Sequence, residues 1–260
     1  MTIPNLAFNC AIVTGGGGGI GRAISEWLIQ SDKKVIIVGR TESKLQAAAK
    51  ELGESVSYYV LDTGDVAAIP KFIERVTKEH PEVDCLINNA GVQRPLSVND
   101  DKDFIEKADQ ELDTNIRGPL HLTLHLLPHL KSKPSAVIVN VSSVLGFIPF
   151  SIINPVYNGT KAWLHMWSMN LRTQLKDTKV RVVEIVPPTV ATDLHRERDD
   201  PDDNKKEKNQ AALTVEEFMA DIVGDWESGK DILAAGMGKG IVERWYKEFG
   251  PDYSKAAGTN

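Results

Sequence analysis

The sequence predicts an α/β fold, a doubly wound parallel sheet of about seven strands with helices on both faces. Short apolar runs alternate with longer amphipathic stretches up to about position 235, which is the pattern of repeated strand and helix units. Most of the apolar runs lack a strict alternation of apolar and polar residues, as is typical of strands covered on both faces. The chain has 260 residues, of which 42% are hydrophobic and 25% are charged, so one domain can close around one core.

Seven apolar runs are predicted to be the strands. They cover residues 11–14, 35–38, 56–61, 85–87, 136–141, 180–186 and 232–234. The stretches with helical patterns are 21–30, 43–52, 67–79, 113–130, 157–176 and 215–228. Pro70 and Pro119 fall near helix starts, where a missing N–H costs little, and Pro128 falls near a helix end.

Two segments depart from this alternation. Residues 195–210 contain no large apolar side chain and cannot bury a face, so we expect a charged, solvated and mobile loop. Residues 237–260 follow the last strand and are interpreted as a short C-terminal tail. The prediction is therefore a single domain spanning residues 1–260. The two cysteines, Cys10 and Cys85, adjoin predicted buried strands and are interpreted as core thiols.

The charge balance narrows the class of partner. Lys and Arg total 30 and Asp and Glu total 36, giving a net charge of −6 that argues against nucleic acid or an acidic membrane as the main partner. No stretch approaches the roughly 18 uninterrupted apolar residues of a membrane span, and the N-terminus lacks the pattern of a secretory signal. We therefore expect a cytoplasmic protein whose partner is a small molecule.

A glycine-rich turn, residues 15–21, separates the first predicted strand from the first helix. Glycine lets the backbone approach a diphosphate, while the free N–H groups of the helix start receive its negative charge. The alternative is a merely flexible turn, but its place between strand and helix favours a dinucleotide-binding, Rossmann-like fold. The residues of the turn predicted to bind the cofactor are Gly15, Gly17, Gly18, Gly19, Ile20 and Gly21.

Arg40 follows the second predicted strand, roughly 20 residues beyond the glycine turn. An acidic residue at this place binds the ribose 2′-hydroxyl of NAD, whereas an arginine accommodates the 2′-phosphate of NADP. Arg40 therefore favours NADP(H), with NAD(H) as the less favoured cofactor. The alternative interpretation is a surface arginine paired with Glu42 or Glu26.

Tyr157 and Lys161 lie four residues apart in a helical pattern, so their side chains are adjacent on one face. An ammonium group beside a phenol lowers the pKa of the phenol from about 10 toward neutrality, where it exchanges a proton efficiently. The pair predicts acid–base chemistry only in the company of further motifs, because this spacing is common.

Those motifs follow in order along the chain: residues 14–21, Asn88-Asn89-Ala90-Gly91, Asn115, Ser142-Ser143, the Tyr157 and Lys161 pair, and residues 187–192. Their order and spacing closely resemble the short-chain dehydrogenase/reductase family, over residues 8–236. Within the family the sequence looks most similar to the DltE-type bacterial oxidoreductases, through Asn89-Ala-Gly-Val-Gln93, the Pro187-Pro188 pair and Pro155-Val-Tyr157.

The resemblance implies that Tyr157 is the general acid and base, and that Lys161 lowers its pKa and binds the nicotinamide ribose. It implies that Ser143 holds the substrate carbonyl oxygen; Ser142 is the alternative, since the 14-residue gap from Ser143 to Tyr157 is one longer than expected. Asn115 would hold a water in the proton relay behind the lysine, the alternative being a helix-capping or solvent-facing asparagine.

The resemblance also implies cofactor contacts outside the glycine turn. Asp62 would receive the adenine amino group, its alternative role being a helix N-cap before Val66. Pro188 departs from the family's usual glycine and stiffens the local backbone. The further positions implied for the cofactor are Asn89 at the adenosine ribose, Gly91, Pro187, Val190 through its main chain and Thr192 through its hydroxyl.

The function predicted is NADP(H)-dependent interconversion of a carbonyl and an alcohol by hydride transfer, with Tyr157 moving the proton. The substrate is predicted to contact Ser143, Gln93, Phe147, Pro149, Val190 and Leu194, with the 195–210 loop as a lid. The resemblance alone implies a homodimer or homotetramer. The rival functions are a non-catalytic NADP(H)-binding sensor or scaffold, and an epimerase or dehydratase on the same fold.

Two helical patterns have a structural interpretation. His121, His125 and His129 recur every four residues but lack a cysteine or acidic third ligand nearby, so we predict no metal site and a helix surface instead. Trp163, Met166 and Trp167 are predicted to be buried packing on the helix of Tyr157.

Overall fold

A computed structural model describes residues 4–258, in which the predicted strands form one seven-stranded parallel sheet. The strands are β1 (Cys10–Thr14), β2 (Lys34–Gly39), β3 (Val56–Val60), β4 (Cys85–Asn88), β5 (Ala136–Val141), β6 (Val180–Val186) and β7 (Ile232–Ala234). The helices are α1 (Gly19–Gln30), α2 (Glu42–Leu52), α3 (Ile69–Glu79), α4 (Phe104–Leu112), α5 (Gly118–Lys131), α6 (Pro155–Gln174), α7 (Val215–Glu227) and α8 (Gly238–Ala257). The predicted fold class is confirmed.

The strands are arranged in the order β3-β2-β1-β4-β5-β6-β7, and every neighbouring pair is parallel. The chain order reverses between β1 and β4, so a crevice opens beyond their carboxyl ends. In open parallel sheets this is where ligands bind. The glycine-rich turn after β1 and the asparagines at the end of β4 both lie at this point.

The sheet divides the apolar core into two layers because successive side chains of a strand point to opposite faces. Ala11 and Val13 of β1 pack in the layer that holds side chains of α1, α2 and α7. Cys10 and Ile12 pack in the opposite layer, with α3, α5 and α6. Cys10 and Cys85 are free and buried, and burial raises the pKa of Cys10 to about 12, so it remains a protonated thiol.

The predicted helix over 113–130 is interrupted at its start. Residues Asp113–Arg117 form a π-helical turn between α4 and α5, and α4 itself was not predicted. The pattern of α4 is hard to detect because only Ala108 and Glu111 of its nine residues are buried, and one of these is charged. A π turn inside a helical region widens the backbone locally and is frequent at functional sites.

The segment interpreted as a C-terminal tail is a helix, α8, and that prediction is wrong. Its charged sequence hides a narrow apolar stripe, in which Ile241 is buried against Val144 and Val186. The Tyr253 hydroxyl donates to the Met169 carbonyl oxygen at 2.7 Å and so fastens the end of α8 to α6. Neither α8 nor any other described helix is long and apolar enough to cross a membrane.

The 195–210 segment is less solvated than predicted. Asn204 is 1% exposed, and its amide nitrogen donates to the carbonyl oxygens of Val190 (3.1 Å) and Thr192 (3.0 Å). His195 is buried and its ring contacts Asp203. The segment buries polar side chains, held mainly by bonds to the preceding loop and within the segment, and a search for apolar faces does not detect such burial.

The surface of α5 and α6 differs in part from its prediction. The His129 ring lies 2.9 Å from the Val83 carbonyl oxygen, so it is tied to the preceding loop. Trp163 and Trp167 are half-buried with ring centroids 5.5 Å apart. Met166 is 46% exposed, so the prediction of buried packing is wrong for this residue, which lies on the outer face of α6.

Candidate active site

The glycine-rich turn joins β1 to α1 at the carboxyl edge of the sheet. Gly15 and Gly19 have φ angles of +68° and +51°, a region that favours glycine. A Cβ atom at Gly21 would lie 2.5 Å from the Gly15 carbonyl oxygen, so only glycine lets the turn close. A Cβ atom at Gly18 would meet nothing within 4 Å. The space beside Gly18 is therefore open for the close approach of a ligand to the backbone.

The turn is attached to the end of β4 by Thr14. The Thr14 hydroxyl donates to the Ile87 carbonyl oxygen (3.1 Å) and accepts from the main-chain N–H groups of Asn89 (2.9 Å) and Ala90 (3.0 Å). The Asn89 amide nitrogen donates to the Thr14 carbonyl oxygen at 2.8 Å. That N–H group therefore holds two strand ends together, and a contact with a ribose would use the second N–H or the side-chain oxygen of Asn89.

A second set of amides crosses the sheet. Asn88 donates to the Asn140 side-chain oxygen (2.9 Å) and to the Thr123 hydroxyl (3.1 Å). Asn140 in turn donates to the Ser168 hydroxyl at 2.9 Å. All four side chains are buried, so these bonds fix β4 and β5 against α5 and α6.

Arg40 lies at the end of β2, beside the end of β3. Its guanidinium is 3.8 Å from the Asp62 carboxylate, and both side chains are about half exposed (51% and 47%). The partner is thus Asp62, not Glu42 or Glu26. Asp62 accepts from the Gly64 N–H at 2.9 Å and caps no helix, because α3 begins at Ile69. An exposed pair of this length contributes little energy, so Arg40 can exchange it for a phosphate.

Tyr157, Lys161 and Ser143 come together near the carboxyl edge of the sheet, as the sequence predicted. Tyr157 and Lys161 lie one turn apart on α6 and are 5% and 4% exposed. The Ser143 hydroxyl, just beyond β5, acts on the Tyr157 phenol and opposes the rise in its pKa. The Lys161 ammonium lies 5.5 Å from the centre of the Tyr157 ring and donates to the Val141 carbonyl oxygen at 2.8 Å.

The direction of the Tyr157 pKa is opposite to the prediction. Burial raises it well above its ordinary value and the charge of Glu111 raises it further, while the Ser143 hydroxyl and the Arg198 charge oppose the rise. Burial also lowers the pKa of Lys161 to about 8, against the attraction of Glu111. Desolvation wins in the protein alone because both groups are buried and the ammonium points at a carbonyl oxygen instead of the phenol.

The structure separates the two candidate serines. The Ser142 hydroxyl donates to the Glu184 carboxylate at 2.6 Å, and the His165 ring nitrogen Nδ1 lies 3.0 Å from the same carboxylate. Ser142, Glu184 and His165 are all buried behind β5. Ser143 is therefore the serine that faces Tyr157, and Ser142 belongs to a buried polar cluster on the other side.

Asn115 lies in the π-helical turn and is 1% exposed. Its side-chain oxygen accepts from the Val92 N–H (2.9 Å), and its nitrogen donates to the Val92 carbonyl oxygen (2.9 Å) and the Thr160 hydroxyl (3.1 Å). It is neither solvent-facing nor a helix cap. A Cβ atom at Gly91 would lie 3.4 Å from the Asn115 oxygen and 3.8 Å from the Lys161 nitrogen. Both N–H groups of the Asn115 amide are used, so a water at Asn115 would bind the second lone pair of the side-chain oxygen or the main chain.

The predicted cofactor positions after β6 lie opposite the glycine turn. A Cβ atom at Gly19 would be 3.2 Å from the Thr192 methyl group, which places Thr192 beside the start of α1. The Thr192 hydroxyl accepts from the Leu194 N–H at 3.3 Å. The Val190 carbonyl oxygen is bound by Asn204, so a main-chain contact with a nicotinamide would use its N–H. Pro187 accepts from the Val144 N–H at 3.0 Å and holds the loop of Ser143 in place.

The predicted substrate contacts are only partly brought together. Gln93 is buried and its side-chain oxygen accepts from Arg198 at 3.1 Å. The Phe147 ring centroid lies 4.1 Å from that of His165, and the ring is edge-on to Trp245 of α8; its substrate role stays a prediction. An unpredicted helix thus takes Phe147 into an aromatic cluster. For Pro149, which is exposed, and Leu194, which is half-buried, the substrate role stays a prediction.

Three charged residues near Tyr157 were not predicted. Arg94 is 9% exposed and pairs with Glu197 at 2.6 Å. Arg198 pairs with Asp203 at 2.6 Å. The amide of Asn154, oriented to satisfy both neighbours, donates to the Arg94 carbonyl oxygen (3.1 Å) and accepts from Arg198 (2.9 Å). The third residue is Glu111, which has no exposed surface.

One signal in the sequence could have found Glu111. It lies four residues before Asn115, so a continuous helix would place both side chains on one face. Arg198 carried no such signal, because nothing in the local sequence says which charged side chain of the 195–210 segment turns inward.

The sequence is similar to proteins of a known family. A family model described as short chain dehydrogenase matches residues 9–203. The Bacillus subtilis (strain 168) protein described as uncharacterized oxidoreductase DltE is 34% identical over 85% of this chain and 86% of its own length. The NADP-dependent 3-hydroxy acid dehydrogenase YdfG of Shigella flexneri is 36% identical over 79% of this chain and 84% of its own length.

A solved structure is similar as well. The closed form of serine dehydrogenase complexed with NADP+ superposes with a TM-score of 0.76 at 31% sequence identity. The match covers 86% of this chain and 93% of that one.

Proposed function

The chain belongs to the short-chain dehydrogenase family of oxidoreductases, and on that premise we propose that it interconverts a carbonyl compound and an alcohol with NADP(H). The nicotinamide of a bound cofactor would exchange the hydride, and Tyr157 transfers the proton. The observation that carries this proposal is the buried group of Tyr157, Ser143 and Lys161 beside the glycine-rich turn. A phenol, a hydroxyl and an ammonium together provide an acid, a hydrogen-bond donor and a positive charge.

The residues present fit an NADP cofactor. The open space at Gly18 and the start of α1 accept a diphosphate, and the loosely paired Arg40 accepts a 2′-phosphate. The sequence relative YdfG is named as NADP-dependent, and the solved serine dehydrogenase carries NADP+, which supports the same preference here. Once bound, the cofactor supplies or receives the hydride.

The protein's own residues manage the oxygen and its proton. In reduction, Ser143 hydrogen-bonds to the carbonyl oxygen while the Tyr157 Oη–H bond breaks and its proton passes to that oxygen. The phenolate that remains is stabilised by the positive charge of Lys161. In oxidation the same phenolate takes the alcohol proton. Since Tyr157 and Lys161 are almost fully buried, bulk water is excluded and these charges act strongly on one another.

The non-catalytic sensor and the epimerase or dehydratase stay as alternatives, and Tyr157→Phe distinguishes them. We expect NADPH to bind both forms more tightly than NADH does. With a panel of ketones and aldehydes, we expect kcat to fall by about 10²–10⁴-fold in Tyr157→Phe, because the proton donor is lost. Fluorescence titration gives the cofactor Kd and the loss of NADPH absorbance gives the rate.

The matched control is Tyr58→Phe, which removes a phenol that bonds only to the exposed Gln46, and should leave kcat unchanged. Turnover of the same panel by Tyr157→Phe at the native rate would overturn the mechanism. Tight NADPH binding without turnover of any panel member by the native protein would favour the sensor. Tighter binding of NADH would overturn the assignment of Arg40.

Arg198 favours a substrate that carries a carboxylate. Its charge acts on Tyr157, and its guanidinium nitrogen Nε is buried without a hydrogen-bond partner among the described residues. Two of the similar proteins are named for substrates of this kind. One is a 3-hydroxy acid dehydrogenase and the other is a serine dehydrogenase, and serine is itself a 3-hydroxy acid. We therefore propose a 3-hydroxy acid or its 3-oxo counterpart, with Arg198 binding the carboxylate.

The test compares a 3-hydroxy acid with its methyl ester as substrates. We expect the native enzyme to prefer the acid in kcat/KM, and Arg198→Gln to lose about 10–100-fold of that preference, since a charged hydrogen bond contributes about 1.5–3 kcal/mol. Arg196→Gln is the control, because Arg196 belongs to the same segment and is exposed. Equal preference for the acid in native and Arg198→Gln enzymes would remove this substrate class from the proposal.

A further inference from the structure

Glu111, on α4, is a buried carboxyl group without a hydrogen-bond partner. It has no exposed surface, and neither of its side-chain oxygens forms a hydrogen bond with any described residue. Burying an unpaired polar group destabilises a protein by about 1–3 kcal/mol, and more if it is charged. A group kept at such a cost calls for an explanation other than packing.

Charged and titratable groups face Glu111 from three directions. Arg94 approaches from the loop after β4, and its guanidinium is already paired with Glu197 at 2.6 Å. Glu197 itself approaches from the 195–210 segment and repels the carboxylate. From α6, Lys161 acts on Glu111, and Glu111 acts in turn on Lys161 and Tyr157. The Glu111 carboxyl therefore lies within electrostatic reach of the pair that exchanges the proton.

The charge of Glu111 changes in the same range of pH as the charge of Lys161. Burial raises its pKa to about 8, while Arg94 and Lys161 oppose the rise. Burial lowers the pKa of Lys161 to about 8 as well. The two groups therefore titrate in the same range of pH and influence each other.

We propose that Glu111 is a positioning residue of the active site, which sets the proton content of Lys161 and Tyr157 through its own charge. The inference deepens the proposed function and rests on it. A neutral Glu111 leaves Lys161 free to lose its proton. An ionised Glu111 attracts the ammonium and repels the Tyr157 phenolate, so it holds a proton on both groups.

The sign of the effect follows from these charges. Ionised Glu111 raises the pKa of Tyr157 and of Lys161, so its removal lowers both. Reduction needs a protonated Tyr157 and is lost as the pH rises through that pKa. In Glu111→Gln, which keeps the shape but cannot ionise, the loss should begin roughly one pH unit lower. Oxidation needs the phenolate and should rise correspondingly earlier.

The experiment measures kcat/KM against pH in both directions for native protein, Glu111→Gln and Glu106→Gln. Glu106 lies on the same helix and is exposed, so its replacement removes one carboxylate without touching the site. We expect the basic limb of the pH profile to shift in Glu111→Gln and to stay in place in Glu106→Gln. Glu111→Met, a second variant that cannot ionise, should shift in the same direction and guards against poor folding of the first.

A readout independent of turnover is the ultraviolet absorbance of tyrosinate. The titration of Tyr157 is the difference between each protein and its Tyr157→Phe counterpart, and we expect its midpoint to fall in Glu111→Gln. Coincident profiles of native and Glu111→Gln proteins would overturn the inference, as would an equal shift in Glu106→Gln. Failure of the proposed function looks different, because rates would then be independent of Tyr157.

Discussion

Two glutamates near Tyr157 and Ser143, Glu111 and Glu184, are completely buried, yet their surroundings differ. Glu184, on β6, receives a hydrogen bond from Ser142 at 2.6 Å and lies 3.0 Å from the His165 ring. Glu111, on α4, has no hydrogen-bond partner among the described residues. The same side chain with the same burial is thus satisfied in one region and unsatisfied in the other.

The difference separates a structural role from a functional one. The Glu184 cluster joins β5, β6 and α6 directly behind the loop that carries Ser143, and aromatic rings of Phe147 and Trp245 cover its histidine. A buried carboxylate with its own hydrogen-bond partners in place fixes the elements around it. An unpartnered carboxyl has no such effect on the core, and its ability to change charge is the property that remains.

Removing the Glu184 carboxylate should have the largest effect on stability. Glu184→Ala leaves the Ser142 hydroxyl and the His165 ring without their shared acceptor, and removing one partner of a buried polar pair costs about 3–5 kcal/mol. We expect the Tm to fall by roughly 10 °C. Differential scanning calorimetry measures it, with Glu243→Ala, exposed on α8, as the control. A Tm close to native would show that the cluster contributes little.

Replacing Glu111 should change the stability of the protein less than replacing Glu184, and in the opposite direction. The pKa of Glu111 is raised in the folded protein to about 8, from 4.5 when exposed, so folding takes up a proton between these values. The native protein therefore loses stability as the pH rises from 4.5 to 8. Glu111→Gln lacks this loss and should gain about 1–3 kcal/mol relative to native protein between pH 5 and pH 9.

Thermal melts of native protein, Glu111→Gln and Glu106→Gln at pH 5, 7 and 9 test this expectation. The Tm difference between Glu111→Gln and native protein should grow by a few degrees across the series, roughly 2–4 °C per kcal/mol. The difference for Glu106→Gln should stay constant. A difference for Glu111→Gln that is flat, or that shrinks with pH, would show that the carboxyl is already satisfied.

Much of the fold followed from local patterns. Each predicted strand lies within one residue of its observed bounds, because a fully buried parallel strand is a short continuous apolar run. The bounds of α1, α2, α3, α6 and α7 were predicted to within two residues. The failures, α4 and α8, bury few side chains against the rest of the protein, so their periodicity is weak. Tertiary contacts, such as that of Tyr253 with α6, fasten α8.

In the candidate site, too, the features that depend on neighbours in the sequence were predictable and those that depend on distant residues were not. The placement of Tyr157 beside Lys161 needed only one helical turn, and the conformation of the glycine turn needed only glycine itself. The packing of Phe147 could not be predicted, because its neighbour, Trp245, is almost one hundred residues away on a helix that was not predicted.

The sequence by itself determined the sheet, the glycine-rich turn and the order of the motifs, since these depend on spacing between near neighbours. Only the tertiary structure decided which serine faces Tyr157, which glutamate is satisfied and which arginine turns inward. Burial and hydrogen-bond partners are properties of residues that the fold brings together from distant positions. The raised pKa of Tyr157 and Glu111, and the lowered pKa of Lys161, have that same origin in desolvation.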